Sequence, residues 1–381
     1  MKVVQINAVC GKGSTGKICV SISEILTAQN IENYILYCSG NSEYPLGIKC
    51  ASDRYIKLQA LKSRLFGNYG FNSKKVTKRI ISELERIQPD IVHLHNIHGH
   101  DCHFGKLLGY LKAKKIKLYW TFHDCWVFTG YCVHFDFIKC SRWKTGCGNC
   151  PQKRQYSWIF DRSRQLYNKK KTALAGLDLM IVTPSQWLAD LVGQSFLKDY
   201  PVKVIHNGID LNVFKPVPSD FREKHNISAQ KYVLLGVAFG WGKRKGLDVF
   251  IELAKRLDQE KYQIVLVGTD DNTDKQLPPE IVSIHRTQNQ RELAEIYTAS
   301  DLFVNPTREE VLGLVNIESL ACGTPVLTFK TGGSPECVDE ICGAVVDCDD
   351  IDALEKEIID ICEKKPFNAT ACIRRAALFA K

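Results

Sequence analysis

Residues 301–336 read DLFVNPTREEVLGLVNIESLACGTPVLTFKTGGSPE, which parses as strand, loop, helix, strand, loop. Leu302-Phe303-Val304 is a short apolar run that stops at Asn305-Pro306, as a buried parallel strand does. Gly313 allows close backbone approach just before Leu314–Cys322, a segment of helical character that ends at Gly323 with Pro325 beyond. Thr324–Phe329 is the next strand, and Gly332-Gly333 opens the next loop. A glycine turn between a strand end and a helix N-terminus is a ready anion site. The amides of Gly313, Leu314 and Val315 are its donors. Glu310 and Glu318 bracket the turn. Carboxylates repel a phosphate, so they need another partner, and sugar hydroxyls that donate hydrogen bonds to them supply one. A diphosphate flanked by hydroxyl-rich rings is a nucleotide-sugar. Isolated glutamates would instead read as surface charges.

The 381 residues suit two domains rather than one core. With 45% apolar and 24% charged residues, the composition is that of a globular protein. No run is long enough to span a membrane, and Met1-Lys2 leads directly into a strand without an apolar leader. The net charge of +9 is uneven. Residues 1–200 carry 29 Lys and Arg against 14 Asp and Glu, and residues 201–381 carry 22 against 28. The basic half suits an acidic substrate or an anionic membrane surface, and Arg54–Arg79 mixes its cations with Tyr, Leu and Phe. Sixteen cysteines without a leader predict thiols in a reducing, cytoplasmic compartment.

Along the chain, strands alternate with helices in the rhythm of parallel sheets. Val3–Ala8 ends in a glycine-rich turn, Gly11 to Lys17, close to the phosphate-cradling pattern G-x-x-x-x-G-K-[ST], but Ile18 stands where a metal-binding hydroxyl belongs. A nucleotide triphosphatase using Gly11–Lys17 is therefore the alternative reading. Residues 53–72 read as a polar, basic, aromatic and partly mobile stretch. Asp90–His95 and Ile116–Phe122 are strands delivering His95 and His123-Asp124. Cys132, Cys140, Cys147 and Cys150 have the spacing C-x7-C-x6-C-x2-C, which suits a structural zinc ion on four thiolates; four unrelated thiols are the plainer reading. A non-enzymatic zinc or nucleic-acid-binding module using the basic half is the second alternative, which is disfavoured because this insert, residues 125–160, interrupts an α/β domain. Gly240 to Gly246 follows the strand Tyr232–Phe239 and carries Lys243, Arg244 and Lys245. Asp347-Cys348-Asp349 has a D-x-D form, but it precedes a helix, where acidic capping explains it.

The set Glu310-x7-Glu318 around Gly313, followed by Gly323-Thr324-Pro325 and Gly332-Gly333-Ser334-Pro335-Glu336, resembles the family 4 retaining glycosyltransferases. Thr145-Gly146-Cys147-Gly148-Asn149-Cys150-Pro151 resembles the branch of that family with a cysteine-rich insert, seen in bacterial exopolysaccharide, capsule or O-antigen synthesis. The resemblance implies a GT-B fold, α/β, with two Rossmann-like domains facing across a cleft. Residues 1–206 would be the acceptor-side domain and 207–366 the nucleotide-sugar domain, with 367–381 a terminal helix that stops short of the family's usual length. It implies metal-independent, retaining transfer from a UDP- or GDP-sugar to a glycan or lipid-linked acceptor; the basic first half, without a membrane span, suggests a peripheral enzyme at the inner face of the plasma membrane. By the same resemblance, His123 contacts the donor sugar, Arg244 and Lys245 neutralise the leaving diphosphate, and Glu310 holds sugar hydroxyls. Glu318 takes the ribose, Gly13 faces the diphosphate, and Arg286 and Thr287 lie by the base. Asp124 and His95 are acceptor-side candidates. One departure stands out: the family's Gly-Arg pair ahead of the basic turn is replaced here by Phe239-Gly240-Trp241.

Overall fold

Short runs rich in Val, Ile and Leu, each followed by a turn and an amphipathic helix, can bury both strand faces only in a parallel sheet covered on both sides. The computed structural model describes residues 1–381 and contains two such sheets, one in each of the units Met1–Ile205 and His206–Lys381. The first sheet is built from β1 (Lys2–Asn7), β2 (Glu32–Tyr37), β3 (Gly47–Lys49), β4 (Ile91–Leu94), β5 (Lys117–Thr121), β6 (Leu179–Thr183) and β7 (Val202–Val204). Its order is β3-β2-β1-β4-β5-β6-β7, parallel throughout. The second sheet comprises β8 (Tyr232–Val237), β9 (Tyr262–Val267), β10 (Val282–Ile284), β11 (Leu302–Asn305), β12 (Val326–Phe329) and β13 (Gly343–Val346), in the parallel order β10-β9-β8-β11-β12-β13.

In each sheet the strand order reverses at one place, between β1 and β4 and between β8 and β11. Loops leaving the carboxyl ends of two such strands diverge to opposite faces and open a crevice where ligands bind. The second unit's core shows why the first three residues of β11 are apolar. Phe303 packs to one side with Ile317 and Leu320, while Leu302 and Val304 pack to the other with Phe250 and Ile358.

Residues 53–72 depart from the mobile stretch expected of them. Asp53–Phe66 is a regular helix, capped by the Ser52 side chain accepting from the Tyr55 amide and closed by Gly67 in the left-handed conformation. Its periodicity was hidden because its apolar residues face outward. The terminal helix Ala369–Ala376 packs within the second unit, where Arg375 donates to the Glu336 carbonyl at 2.7 Å and the Ile209 amide donates to the Phe379 carbonyl at 2.9 Å. No helix is long and apolar enough to cross a membrane.

Candidate active site

At the switch point of the second unit, the loop after β8 lies against the loop after β11. Gly246, with φ +78°, makes this approach possible: a Cβ there would stand 2.4 Å from the Pro306 carbonyl oxygen. The Arg308 amide donates to the Arg244 carbonyl at 2.9 Å, fastening the two loops. Lys245 Nζ thereby reaches Glu310 Oε2 at 2.8 Å, while Glu310 Oε1 accepts from the Val311 amide at 3.1 Å. Arg244 stands 3.6 Å from the buried carboxylate of Glu309. The two loops are braced by Arg308, which grips Asp248 with both terminal nitrogens at 2.8 and 3.0 Å and reaches Asp349 at 2.6 Å. Asp349 of the D-x-D segment is thus a structural partner of an arginine, and Asp350 caps the next helix.

Gly313, at φ +89°, turns the chain into helix Leu314–Ala321. The amides of Gly313, Leu314 and Val315 lie in the first turn, where no carbonyl precedes them to accept. Gly332 closes the floor, since a Cβ there would fall 1.7 Å from the Glu310 carbonyl oxygen. Glu318 Oε2 accepts from the buried Tyr297 hydroxyl at 3.3 Å, and burial followed by that carboxylate pushes the phenol well above its ordinary range. Beneath the helix start, Asn316 accepts from Asn305 at 2.7 Å and donates to Ser334 Oγ at 2.8 Å. Arg286 and Thr287 lie in the loop after β10, with Arg286 exposed.

In the first unit, Gly13 (φ +60°) begins helix Gly13–Ala28 with open space where its Cβ would be. The helix starts at Gly13, so Lys17 sits one turn in, exposed, and the loop does not wrap as a triphosphate cradle must. This corrects the nucleotide triphosphatase reading. At the ends of β4 and β5 the imidazoles form a relay. Gln5 Nε2 donates to the Cys19 carbonyl at 2.9 Å, which leaves its oxygen to accept from His95 Nε2 at 3.1 Å. His95 Nδ1 is then an acceptor, and His123 Nε2 donates to it at 3.1 Å. In neutral His123 the remaining nitrogen, Nδ1, is therefore an acceptor. Burial holds His123 down at about 4 and His93 at about 3, and drives His95 well below its ordinary value.

Two expected acceptor contacts are corrected by this geometry. His95 is buried with both ring nitrogens engaged, so it positions His123. Asp124 is buried, with Oδ2 on His98 Nε2 at 2.8 Å and Oδ1 on the Trp126 amide at 2.8 Å, so it orients His98. Burial alone would raise the Asp124 carboxyl, but the charge and hydrogen bond of His98 hold it below its usual range.

The insert packs on aromatic rings. Trp143 stacks on Phe135 at 5.0 Å and lies 5.3 Å from Phe128. Cys132 and Cys150 bring their sulfurs to 3.9 Å, and Cys147 Sγ accepts from the Gly130 amide at 3.1 Å. In this arrangement no three His, Cys, Asp or Glu side chains close on a common metal position. The fully buried Lys170 lies under the same loop, donating to the Trp126 and Thr129 carbonyls at 2.6 and 3.0 Å.

Two parallel-sheet Rossmann-like units, each with a glycine turn at its switch point, define the GT-B fold. The chain belongs to glycosyltransferase family 4. Residues 16–213 match the family described as Glycosyltransferase Family 4, and residues 219–377 match Glycosyl transferases group 1. Among curated relatives, it is 26% identical over 233 residues to the putative colanic acid biosynthesis glycosyl transferase WcaC of Escherichia coli K12, covering 55% of each chain. It is 27% identical over 179 residues to D-inositol 3-phosphate glycosyltransferase of Mycolicibacterium smegmatis, covering 43% of this chain and 41% of that one. The chain thus spans about half the length of the curated relatives it matches. Among solved structures, sucrose-phosphate synthase from Thermosynechococcus elongatus aligns at 18% identity with a TM-score of 0.72, over 100% of this chain and 95% of that one. Anabaena Alr3699/HepE, solved in complex with UDP-glucose, aligns at 15% identity with a TM-score of 0.67, over 100% and 96%.

Proposed function

We propose that this chain transfers a sugar, with retention and without a catalytic metal, from a UDP- or GDP-sugar to a glycan or lipid-linked acceptor in cell-surface polysaccharide synthesis in the cytoplasm. The observation that carries the reading is the Lys245–Glu310 pair beside the first-turn amides of helix Leu314–Ala321. It places a cation, a helix N-terminus and a carboxylate together at a switch point, which is what a diphosphate joined to a polyol requires. The bond from the anomeric carbon to the diphosphate oxygen breaks, and its electron pair leaves with the nucleoside diphosphate. Lys245, Arg244 and the amides of Gly313 to Val315 stabilise that developing charge. Glu310 accepts from hydroxyls of the transferred sugar, and Glu318, fixed by Tyr297, accepts from the ribose. The acceptor oxygen bonds to the same face of the sugar, and its proton passes to the departing phosphate oxygen. His123 meets a sugar hydroxyl as an acceptor through Nδ1, the tautomer set by Gln5 and His95. The UDP-glucose of the Anabaena protein and the colanic acid role of the Escherichia coli relative support this substrate class.

The test is thermal stabilisation by a panel of nucleotide-sugars, about 2.7 kcal/mol being expected at a hundred times Kd. A chain stabilised by none of them, nor by UDP or GDP, refutes the reading.

The cysteines carry a second, structural proposal: Cys132, Cys140, Cys147 and Cys150 close on one zinc ion when it is supplied. The 3.9 Å between two of the sulfurs is close to the edge of a tetrahedral zinc–thiolate site, about 3.8 Å for bonds of about 2.3 Å. Burial drives the Lys170 amine well below its ordinary pKa, and negative charge at Cys147 and Cys132 works in the opposite sense, towards the ammonium.

A further inference from the structure

Helix Asp53–Phe66 is turned inside out. Its buried residues are Gln59 and Ser63, while Leu58, Leu61 and Phe66 are 49%, 47% and 50% exposed. The polar side has an internal purpose, because Ser63 Oγ accepts from Asn72 at 2.6 Å and bonds His100 Nδ1 at 3.1 Å. The outward side carries Leu58, Leu61 and Leu65 at i, i+3 and i+7, which is a single stripe. By helical spacing, Lys57 and Arg64 border it on one side and Lys62 on the other.

A second exposed apolar segment is stitched to the end of this helix. The Trp158 amide donates to the Arg64 carbonyl at 2.7 Å, and Ser157 Oγ does so at 3.4 Å. The next residues, Trp158, Ile159 and Phe160, are 55%, 55% and 46% exposed. The charge around both segments is mostly positive; Asp53, at the start of the helix, is held by Lys49 at 3.1 Å. Residues 54–82 contain eight Lys and Arg and no Asp or Glu. Asp161, the carboxylate beside the loop, accepts from the amides of Cys150 and Ser163. Beyond the bond from Arg162 to Asn68 lies an open basin of about 750 Å³ that includes Lys74 and Lys169 and is lined by no carboxylate.

We propose that helix Asp53–Phe66 and the loop 157–160 form the surface by which this chain docks on an anionic phospholipid bilayer. Leu, Trp and Phe enter the headgroup region while Lys57, Lys62, Arg64 and Arg162 meet lipid phosphates. Interleaving of lysine with large apolar side chains favours a bilayer over a protein partner. Lysines spread their stems on such a surface and keep their charge in the headgroups, whereas protein interfaces are depleted of them. The inference does not rest on sugar transfer.

Flotation of the full chain with vesicles tests it. Vesicles of phosphatidylcholine with phosphatidylglycerol should capture the protein at low salt, less at high salt, and pure phosphatidylcholine should capture little. Two variants, Leu58→Ser/Leu61→Ser and Trp158→Ala/Ile159→Ser/Phe160→Ser, should each lower the bound fraction by roughly tenfold or more. Because these side chains are exposed, urea midpoints and stabilisation by nucleotide-sugars should be unchanged. Failure to float with the anionic vesicles at low salt overturns the proposal, as does undiminished binding by both variants. A concentration-dependent dimer dissolved by the same substitutions would also overturn it, assigning the face to a second copy of the chain.

Discussion

Replacing Glu310 with glutamine is the sharpest probe of the proposed chemistry, because it changes a charge with little change of shape. Glutamine keeps an oxygen for the Val311 amide but removes the anion that Lys245 reaches at 2.8 Å. The two side chains are 21% and 29% exposed, so solvent screens the pair and the fold should lose only about 1 kcal/mol. Turnover should suffer more. A charge-assisted hydrogen bond contributes about 1.5–3 kcal/mol, so loss of one made to the reacting sugar slows transfer by roughly ten- to 150-fold. The assay is release of UDP or GDP from the nucleotide-sugar that best stabilises the chain, alongside urea unfolding of the same preparations. Lys245→Met and the double variant complete a cycle, and the two losses should be non-additive because the groups touch. Turnover within about twofold of the unaltered chain, at unaltered stability, would refute the assignment of Glu310. A stability loss above about 3 kcal/mol would instead mark it as a folding residue.

Three further outcomes follow from the geometry. His93 and His123 titrate at about 3 and 4 when folded, against 6.5 when unfolded, so the unfolded chain binds more protons below pH 6.5. Stability should therefore fall as pH drops from 6.5 towards 4, by about 1.4 kcal/mol per pH unit for each such imidazole, and denaturant midpoints of His123→Gln should fall less steeply. His98, whose pKa its partner Asp124 raises, works in the opposite sense: its contribution is present below 6.5 and is lost above its folded value. Gly332→Ala should cost at least about 2 kcal/mol in urea unfolding and weaken UDP-sugar binding, since residue 332 holds a left-handed conformation and the new methyl pushes on the Glu310 carbonyl. Elemental analysis of purified chain should find one zinc per molecule, lost with a lowered Tm in Cys147→Ser/Cys150→Ser; full stability of metal-free chain would refute the zinc site.

The sheets were legible because parallel strands buried on both faces leave near-continuous apolar runs, as at Leu302 to Val304. The glycine turns at 13, 246 and 313 were legible because few other residues tolerate their backbone. What the sequence hid was pairing across loops. Nothing local distinguishes Arg308, which braces two loops through Asp248 and Asp349, from an ordinary surface arginine. Tyr297 reads as a helix core residue until its hydroxyl is seen on Glu318. His95 and Asp124 were assigned to the acceptor because a histidine or aspartate at a strand end resembles a ligand group. Burial and two partners each make them supports instead. The amphipathic signal of Asp53–Phe66 was inverted, so it resembled no helix that covers a core.

The glycine contacts at 246 and 332 have a consequence for diversification. The loops bearing Lys245 and Glu310 are aligned by backbone pressed on backbone, at Pro306 and at Glu310 itself, with Arg308 as the side-chain brace. Neighbouring positions such as Phe239, which is fully exposed, can vary without releasing that frame. A library that randomises Phe239 and Lys243 while keeping Trp241, which packs on Phe250 and donates to the Val267 carbonyl, and Gly246, Gly313 and Gly332 should therefore yield folded proteins with altered sugar preference. One that touches those glycines should yield mostly unfolded chains.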